Sequence, residues 1–300
     1  MYKKYEINDS FFKNLNRDSA YVLGWIASDG CIQYIPQKKY SIRFELKDLE
    51  ILELIKSLMN STHPIKARED KNTYSLVIDS KPLVKQLMDL GIGPAKTHTL
   101  QFPNIPKELY IDFIRGYFDG DGSVSILTTN HGKNKQLRSY ICSVNKDFLQ
   151  CIGDYLKDEI NLIPKIYEDK PNFFKLVYGA QESYALYKFM YEDTTNYLKR
   201  KKDIFEQAIE IKAGIGLTNC TRCGKEFVKT GKVQKYCRDC KKEVVRENNR
   251  RRYEKKKREK NWLNIAPQRL HARPLIIRWW YSLSYTARYR GTVGTEQALQ

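Results

Sequence analysis

The chain contains no run of roughly eighteen apolar residues, the length a bilayer-spanning helix requires. Its first residues, Met1-Tyr2-Lys3-Lys4-Tyr5-Glu6, lack the apolar core of a secretory signal. A soluble, intracellular protein of the cytoplasm, nucleoid or an organelle matrix is therefore expected, with no membrane partner. Histidine is scarce: His63, His98, His131 and His271 stand far apart in sequence and suggest no imidazole-based chemistry. Acidic residues are also in deficit, 35 Asp+Glu against 53 Lys+Arg for a formal net charge of +18 in 300 residues. An excess of that sign answers a polyanion, through attraction to phosphates and release of their counterions. Nucleic acid is the first partner to consider.

Of seven cysteines, Cys31, Cys142 and Cys151 are scattered among apolar neighbours. The other four form two tight pairs, Cys220-x2-Cys223 and Cys237-x2-Cys240, separated by thirteen residues. In a reducing compartment such knuckles supply four thiolates to a tetrahedral zinc ion, and an all-thiolate set marks a structural site with no open position. A segment this short has no core of its own, so the metal is expected to fold it. Behind it, residues 241–260 hold eleven Lys+Arg against four Glu, a basic helix or arm. Residues 261–300 then change character, with five arginines but neither lysine nor aspartate, a tail to which no role is assigned.

The main body repeats itself. From about residue 18, Ala20, Leu23, Gly24 and Ala27 mark a helix with a small-residue face, with Gly30 at the place where a left-handed cap is usual. Ile42, Phe44 and Leu46 then alternate with Ser41, Arg43 and Glu45, the period-two signature of a sheet with one open face. A helix around Leu49–Leu58, strands near 65–68 and 74–79 and a helix over 82–90 complete a first set. The same order recurs: a helix over 111–121, strands near 123–127 and 138–143, a helix over 148–160, strands near 165–168 and 173–179, and a last helix from about Ser183. Gly24 and Asp29 map onto Gly116 and Asp121 with one offset of 92 residues, while Leu76-Val77 maps onto Leu176-Val177 with an offset of 100. The second copy has thus gained about eight residues, most easily in its first hairpin at His131-Gly132-Lys133-Asn134-Lys135. The boundaries expected are a first repeat over 10–100, a linker over 101–110 with Pro103 and Pro106, and a second repeat over 111–211. A cysteine module over 217–241, a basic segment over 242–260 and the tail follow.

The helix ends carry the chemistry. Gly24 and Ser28 lie four apart, as do Gly116 and Gly120, so each helix presents a small-residue stripe along which two backbones can approach closely. Close packing brings Asp29 and Asp121 together at two helix C-termini, where each carboxylate opposes the macrodipole and the other's charge. Cations between them relieve both. Paired carboxylates beside a basic surface suit divalent-metal hydrolysis of phosphodiesters.

Val22-Leu23-Gly24-Trp25-Ile26-Ala27-Ser28-Asp29-Gly30 and Ile114-Arg115-Gly116-Tyr117-Phe118-Asp119-Gly120-Asp121-Gly122 resemble the paired motifs of the LAGLIDADG homing endonucleases of the single-chain, two-repeat type. The resemblance spans about residues 10–210 and includes the approach Phe102-Pro103 to Gly116 and the segment Tyr197-Leu198-Lys199-Arg200-Lys201-Lys202. It implies an α+β fold: two pseudo-symmetric αββαββα repeats forming a saddle of antiparallel sheets astride the DNA major groove; the small zinc module read from the cysteine spacing lies beyond the span of the resemblance. It implies that Asp29 and Asp121 bind catalytic magnesium, helped by the carbonyls of Ser28 and Gly120. It also implies a basic residue near each scissile phosphate, best matched by Lys96 and Lys201, with Lys199 and Lys202 as neighbours of the latter. Ala27 departs from the pattern where an earlier acid stands; Asp119 keeps that acid and is read as a structural or solvated side chain.

Ser41, Arg43, Glu45, Lys66, Arg68, Ser125, Arg138 and Lys175 fall on outward strand positions, and side chains of these types read base edges or meet phosphate in a major groove. The expected protein is a monomeric, magnesium-dependent, site-specific double-strand DNA endonuclease with a structural zinc module, acting on a long, nearly nonpalindromic site. The termini, Met1-Tyr2 and Leu299-Gln300 without a final His-Asn, favour an intron-encoded or free-standing enzyme over an intein. The rivals are an RNA-binding intron maturase and a non-cleaving DNA-binding regulator on the same scaffold.

Overall fold

The computed structural model describes residues 4–129, 134–229 and 234–265. His131, Gly132, Lys133, His271 and residues 266–300 of the tail lie outside the described residues. Two units are distinguished, one within Met1–Cys220 and Gly224–Lys235, the other within Thr221–Cys223 and from Tyr236 onward.

The first unit holds both repeats. Helix α1 (Arg17–Ser28) begins at Asn16, whose side chain accepts from the Ser19 N–H while the Ser19 hydroxyl accepts from the Asn16 N–H, a reciprocal cap for two otherwise orphaned donors. Strands β1 (Cys31–Ile35), β2 (Lys39–Leu46), β3 (Ile65–Arg68) and β4 (Thr73–Asp79) form an antiparallel sheet in the order β1-β2-β4-β3. Helix α2 (Leu49–Leu58) joins its two hairpins, and α3 (Lys81–Asp89) follows it. Ile42 pairs with Ile78 and Phe44 with Leu76, and all four are fully buried, so the period-two pattern reads directly as one core face.

The second repeat copies this plan. Helix α4 (Tyr110–Asp121), β5 (Gly122–Thr129), β6 (Asn134–Ser143), α5 (Lys146–Ile160), β7 (Ile166–Lys170), β8 (Phe173–Tyr178) and α6 (Ala180–Tyr191) follow in order, with sheet order β5-β6-β8-β7. The chain is thus an α+β protein built on two four-stranded antiparallel sheets of equivalent topology. A further helix, α7 (Lys199–Glu210), follows as an element that periodicity did not foresee. Its sequence opens on Lys199-Arg200-Lys201-Lys202, which reads as a solvated charge run, yet Lys201, Phe205 and Ala208 are buried.

Helices α1 and α4 pack with their backbones almost touching. A Cβ on Gly116 would lie 2.1 Å from the Tyr21 carbonyl oxygen, and one on Gly24 would lie 2.2 Å from that of Phe113. Any larger residue forces the helices apart. Gly30 does not supply the left-handed cap its place suggested: α1 ends on Asp29 at φ −95°, and Gly30 is needed because a Cβ there would lie 2.6 Å from the Ile26 Cα.

Among the described residues of the cysteine region, two short strands precede a long helix. Strands β9 (Leu217–Asn219) and β10 (Glu226–Val228) pair antiparallel. In the second unit, α8 (Arg238–Ile265) carries the basic segment as a helix, and Arg222 pairs with its Glu247 at 2.8 Å and Glu243 at 3.6 Å. Among the described residues no helix is long and apolar enough to cross a membrane.

Candidate metal and nucleic-acid site

The close approach of α1 and α4 sets the geometry at their C-terminal ends. Asp29 caps α1, its N–H donating to the Trp25 carbonyl, and remains exposed; Asp121 closes α4 and is half-buried. A Cβ on Gly120 would lie 2.0 Å from Ser28 Oγ and 2.9 Å from Asp29 Oδ2, so the first repeat's carboxylate rests against the residue preceding Asp121. Burial, and after it the charge of Asp29, pushes the Asp121 pKa up to about 6. Although Asp29 as a whole is exposed, its carboxylate lies against Gly120, and this local loss of water raises the Asp29 pKa against the pull of the Lys201 and Lys96 ammoniums. Two like charges held together at two helix C-termini are an arrangement that a divalent cation relieves.

The two lysines are placed alike and used differently. Lys96 follows Ala95, which sits in the left-handed region at φ +53°, and its ammonium donates to the Ser28 carbonyl at 2.9 Å. Lys96 is half-buried and burial lowers its pKa. Lys201 is 3% exposed, and its ammonium donates to the carbonyls of Phe118 (2.6 Å), Asp119 (2.7 Å), Gly120 (3.2 Å) and Gly122 (2.6 Å). Burial lowers its pKa to about 8. The expectation of a phosphate-facing Lys201 is thereby corrected: three N–H donors shared among four carbonyls leave it a clamp on the end of α4. Ser28 and Gly120, the carbonyls expected to assist a metal, each accept from the lysine of their own repeat.

Asp119 is entirely buried and accepts from Tyr21 OH at 2.8 Å, Tyr191 OH at 2.5 Å and the Leu198 N–H at 2.8 Å. It points away from solvent and holds three elements together. Tyr21 and Tyr191 went unnoticed in sequence because each reads as core aromatic. Cys142, which its apolar neighbours in sequence mark only as packing, donates its thiol to the Asp121 carbonyl at 2.9 Å. Beside Asp121 opens a cavity of about 230 Å³ whose lining includes Ser28, Lys96, Tyr117, Cys142 and Phe173. His63 is buried, its ring hydrogen-bonded to Ser61, and belongs to the packing of the first repeat.

The strand residues expected on the open faces share them by register. In the first sheet Arg43 pairs with Cys31 and Val77, Glu45 and Lys66 with Ser75, and Arg68 with Thr73. In the second, Ser125 pairs with Arg138 and Cys142 with Lys175. Several are already engaged: Glu45 with Lys71 at 2.9 Å, Arg68 with Asp70 at 3.3 Å and Lys175 with Asp169 at 2.7 Å. Ser41 departs from expectation, because it is fully buried and its hydroxyl donates to Gln33 Oε1; the surface there is Gln33. Among the described residues, Arg43 Nε is buried without a hydrogen-bond partner.

The sulfur atoms of Cys220, Cys223, Cys237 and Cys240 all lie within 4.8 Å of one another, and those of Cys223 and Cys237 are 3.8 Å apart. A tetrahedral zinc with sulfur ligands at about 2.3 Å requires sulfur separations near 3.8 Å. The four thiols fit that ion.

Residues 108–206 match the family model described as LAGLIDADG-like domain. The chain is similar to the probable translation initiation factor IF-2 of Methanocaldococcus jannaschii, 29% identical over 171 residues that cover 54% of this chain and 13% of that protein. It is also similar to the reverse gyrase of the same organism, 27% identical over 186 residues that cover 62% of this chain and 10% of that protein. The chain thus spans about a tenth of the length of these relatives. Among solved structures it is similar to the LAGLIDADG meganuclease I-AabMI bound to uncleaved DNA, at 13% identity and a TM-score of 0.47, covering 68% of this chain and 94% of that one. The structure of I-DmoI in complex with DNA and Mn is similar at 17% identity and a TM-score of 0.42, covering 61% of this chain and all of that one. The stretch matched by the LAGLIDADG-like family model is the second of the two repeats.

Proposed function

We propose that this chain is a site-specific endonuclease that hydrolyses both strands of duplex DNA with magnesium as cofactor, a homing endonuclease of intron-encoded or free-standing type. The observation that carries the reading is the meeting of Asp29 and Asp121, 92 residues apart in sequence, at the ends of two helices packed backbone to backbone. Asp29 and Asp121 would hold the cation, and their crowded carboxylates fit a hard, oxygen-binding metal. When bound, such a cation activates water and stabilises the charge that develops on the phosphate. Lys96, held by one hydrogen bond to Ser28, keeps donors for a phosphate oxygen beside the cavity. Lys201 fixes the backbone that carries Asp121. Arg43, Lys66, Arg68, Arg138 and Lys175, with Glu45 and Ser125, would face the DNA from the two open sheet surfaces. Two half-domains with different side chains on those surfaces would read two different half-sites, so a monomer would take a long, nearly nonpalindromic target. The four cysteines would hold a structural zinc, and α8 behind them would meet further backbone phosphates.

The test is selection of cleaved molecules from a randomised duplex library with magnesium, using the intact chain, Asp29→Asn and Asp121→Asn. A defined cut site with the intact chain alone is the expected result. Binding without cutting would favour a DNA-binding regulator, and selective retention of folded intron RNA would favour a maturase.

A further inference from the structure

The second repeat contains a lock that the first lacks. Helix α7 has no side-chain cap of its own at Leu198; the Leu198 N–H donates instead to Asp119 of α4. One turn later Lys201 donates back to four carbonyls at the end of α4. A carboxylate thus sits at the N-terminus of one helix and an ammonium at the C-terminus of the other, each favoured by the dipole it meets. Tyr21 of α1 and Tyr191 of α6 complete the shell of Asp119. Arg200, between the two anchors, pairs with Asp48 at 3.0 Å.

Moving by the 92-residue offset shows what the first repeat has instead. Asp119 becomes Ala27, Tyr21 becomes Phe113, and neither counterpart has a polar side-chain atom. Among the described residues, Lys96 lies outside any helix and makes one hydrogen bond, to the Ser28 carbonyl at the end of α1. The frame around Asp121 is therefore fixed from two sides, and that around Asp29 from one.

We propose that Asp119 is a positioning residue for Asp121: it holds α7, and through Lys201 the backbone from Phe118 to Gly122, so that the DNA strand lying on the Asp121 side of the shared cation site is cut ahead of the other. This rests on the endonuclease reading. A frame ordered before reaction needs no ordering at the barrier, and misplacement of a reacting group by about 1 Å costs on the order of 100-fold in rate.

The experiment uses the full zinc-loaded chain and a duplex it cleaves, labelled on each strand, under single-turnover conditions with protein in excess. The intact chain is expected to cut one strand first. Asp119→Asn is expected to slow that strand by about 10- to 100-fold with the other strand and DNA affinity unchanged. The slowed strand must be the one slowed by Lys201→Met. With zinc kept but without magnesium or DNA, amide hydrogen exchange at Leu198 and across 118–122 is expected to quicken in Asp119→Asn, with that at Ser28 and Asp29 unchanged. Should Asp119→Asn fail to fold, Tyr21→Phe and Tyr191→Phe, which keep the carboxylate, are expected to give the same pattern at smaller size. Equal slowing of both strands, no slowing, or unchanged exchange at Leu198 would overturn the proposal. An intact chain that cuts neither strand overturns the endonuclease reading instead, and the exchange pattern then separately decides whether Asp119 holds the frame.

Discussion

The two repeats share topology, strand order and helix packing, and they differ in how each holds its carboxylate. Asp29 is exposed at the end of α1 beside a lysine that makes one backbone hydrogen bond. Asp121 is half-buried at the end of α4, next to a buried acid with three partners and a buried lysine with four. Duplication accounts for the architecture, because equal positions along two copies give equal elements. What diverged is the electrostatic setting of the two ends, through a handful of substitutions such as Ala27 against Asp119 and Phe113 against Tyr21.

That comparison can be broken or sharpened in several ways. The largest effect is expected from a zinc chelator. The cysteine module should lose its order, since binding energy on the order of 10 kcal/mol is folding energy in such sites, while both repeats keep their melting transition because they stand on their own cores. Circular dichroism of the intact chain with and without chelator reads both events. Next, Lys201→Met should cost about 3–5 kcal/mol by denaturant unfolding, as loss of a buried charged partner does. Lys96→Met, which gives up one half-buried hydrogen bond, should cost about 1 kcal/mol. Equal costs would erase the distinction between the two lysines. Gly116→Ala puts a methyl against the Tyr21 carbonyl and should cost about 3 kcal/mol.

The smallest effect is a gain. Because the Asp121 pKa is raised to about 6, its charged form is disfavoured in the folded chain. The metal-free protein should therefore lose stability as pH rises from about 4 through 6, and Asp121→Asn should remove part of that loss. Screened by solvent, the gain at pH 7 should be about 1 kcal/mol, a rise of roughly 2–4 °C in Tm. A lowered Tm in Asp121→Asn would show that the carboxylate is stabilised where it stands.

Much of this was legible in the sequence. Alternation over Ile42, Phe44 and Leu46 has one reading, and β3 begins and ends at Ile65 and Arg68 as expected. The small-residue stripe foretold the close packing, and the offset of 92 foretold which two carboxylates meet. The clamp around Asp119 leaves no local pattern, because its three partners are Tyr21 from the other repeat, Tyr191 from far along its own and the Leu198 backbone N–H. α7 was hidden by a run of four basic residues, only one of which has to be buried for the helix to dock. Ser41 misled because register assigns a face and says nothing of a neighbour, here Gln33, that covers the side chain. The same offset that pairs Asp29 with Asp121 also sets Tyr21 and Asp119 against two apolar residues, a signal visible once the repeats are aligned position by position.

The most direct measurement is the shift in melting temperature caused by millimolar magnesium or manganese at pH 7, in the intact chain, Asp29→Asn, Asp121→Asn and the double variant. If one cation site is shared by the two carboxylates, the intact chain gains stability with cation, each single variant loses the gain, and the double variant loses no more than either. A gain retained in one single variant, or lost additively, would contradict a shared site at the ends of α1 and α4.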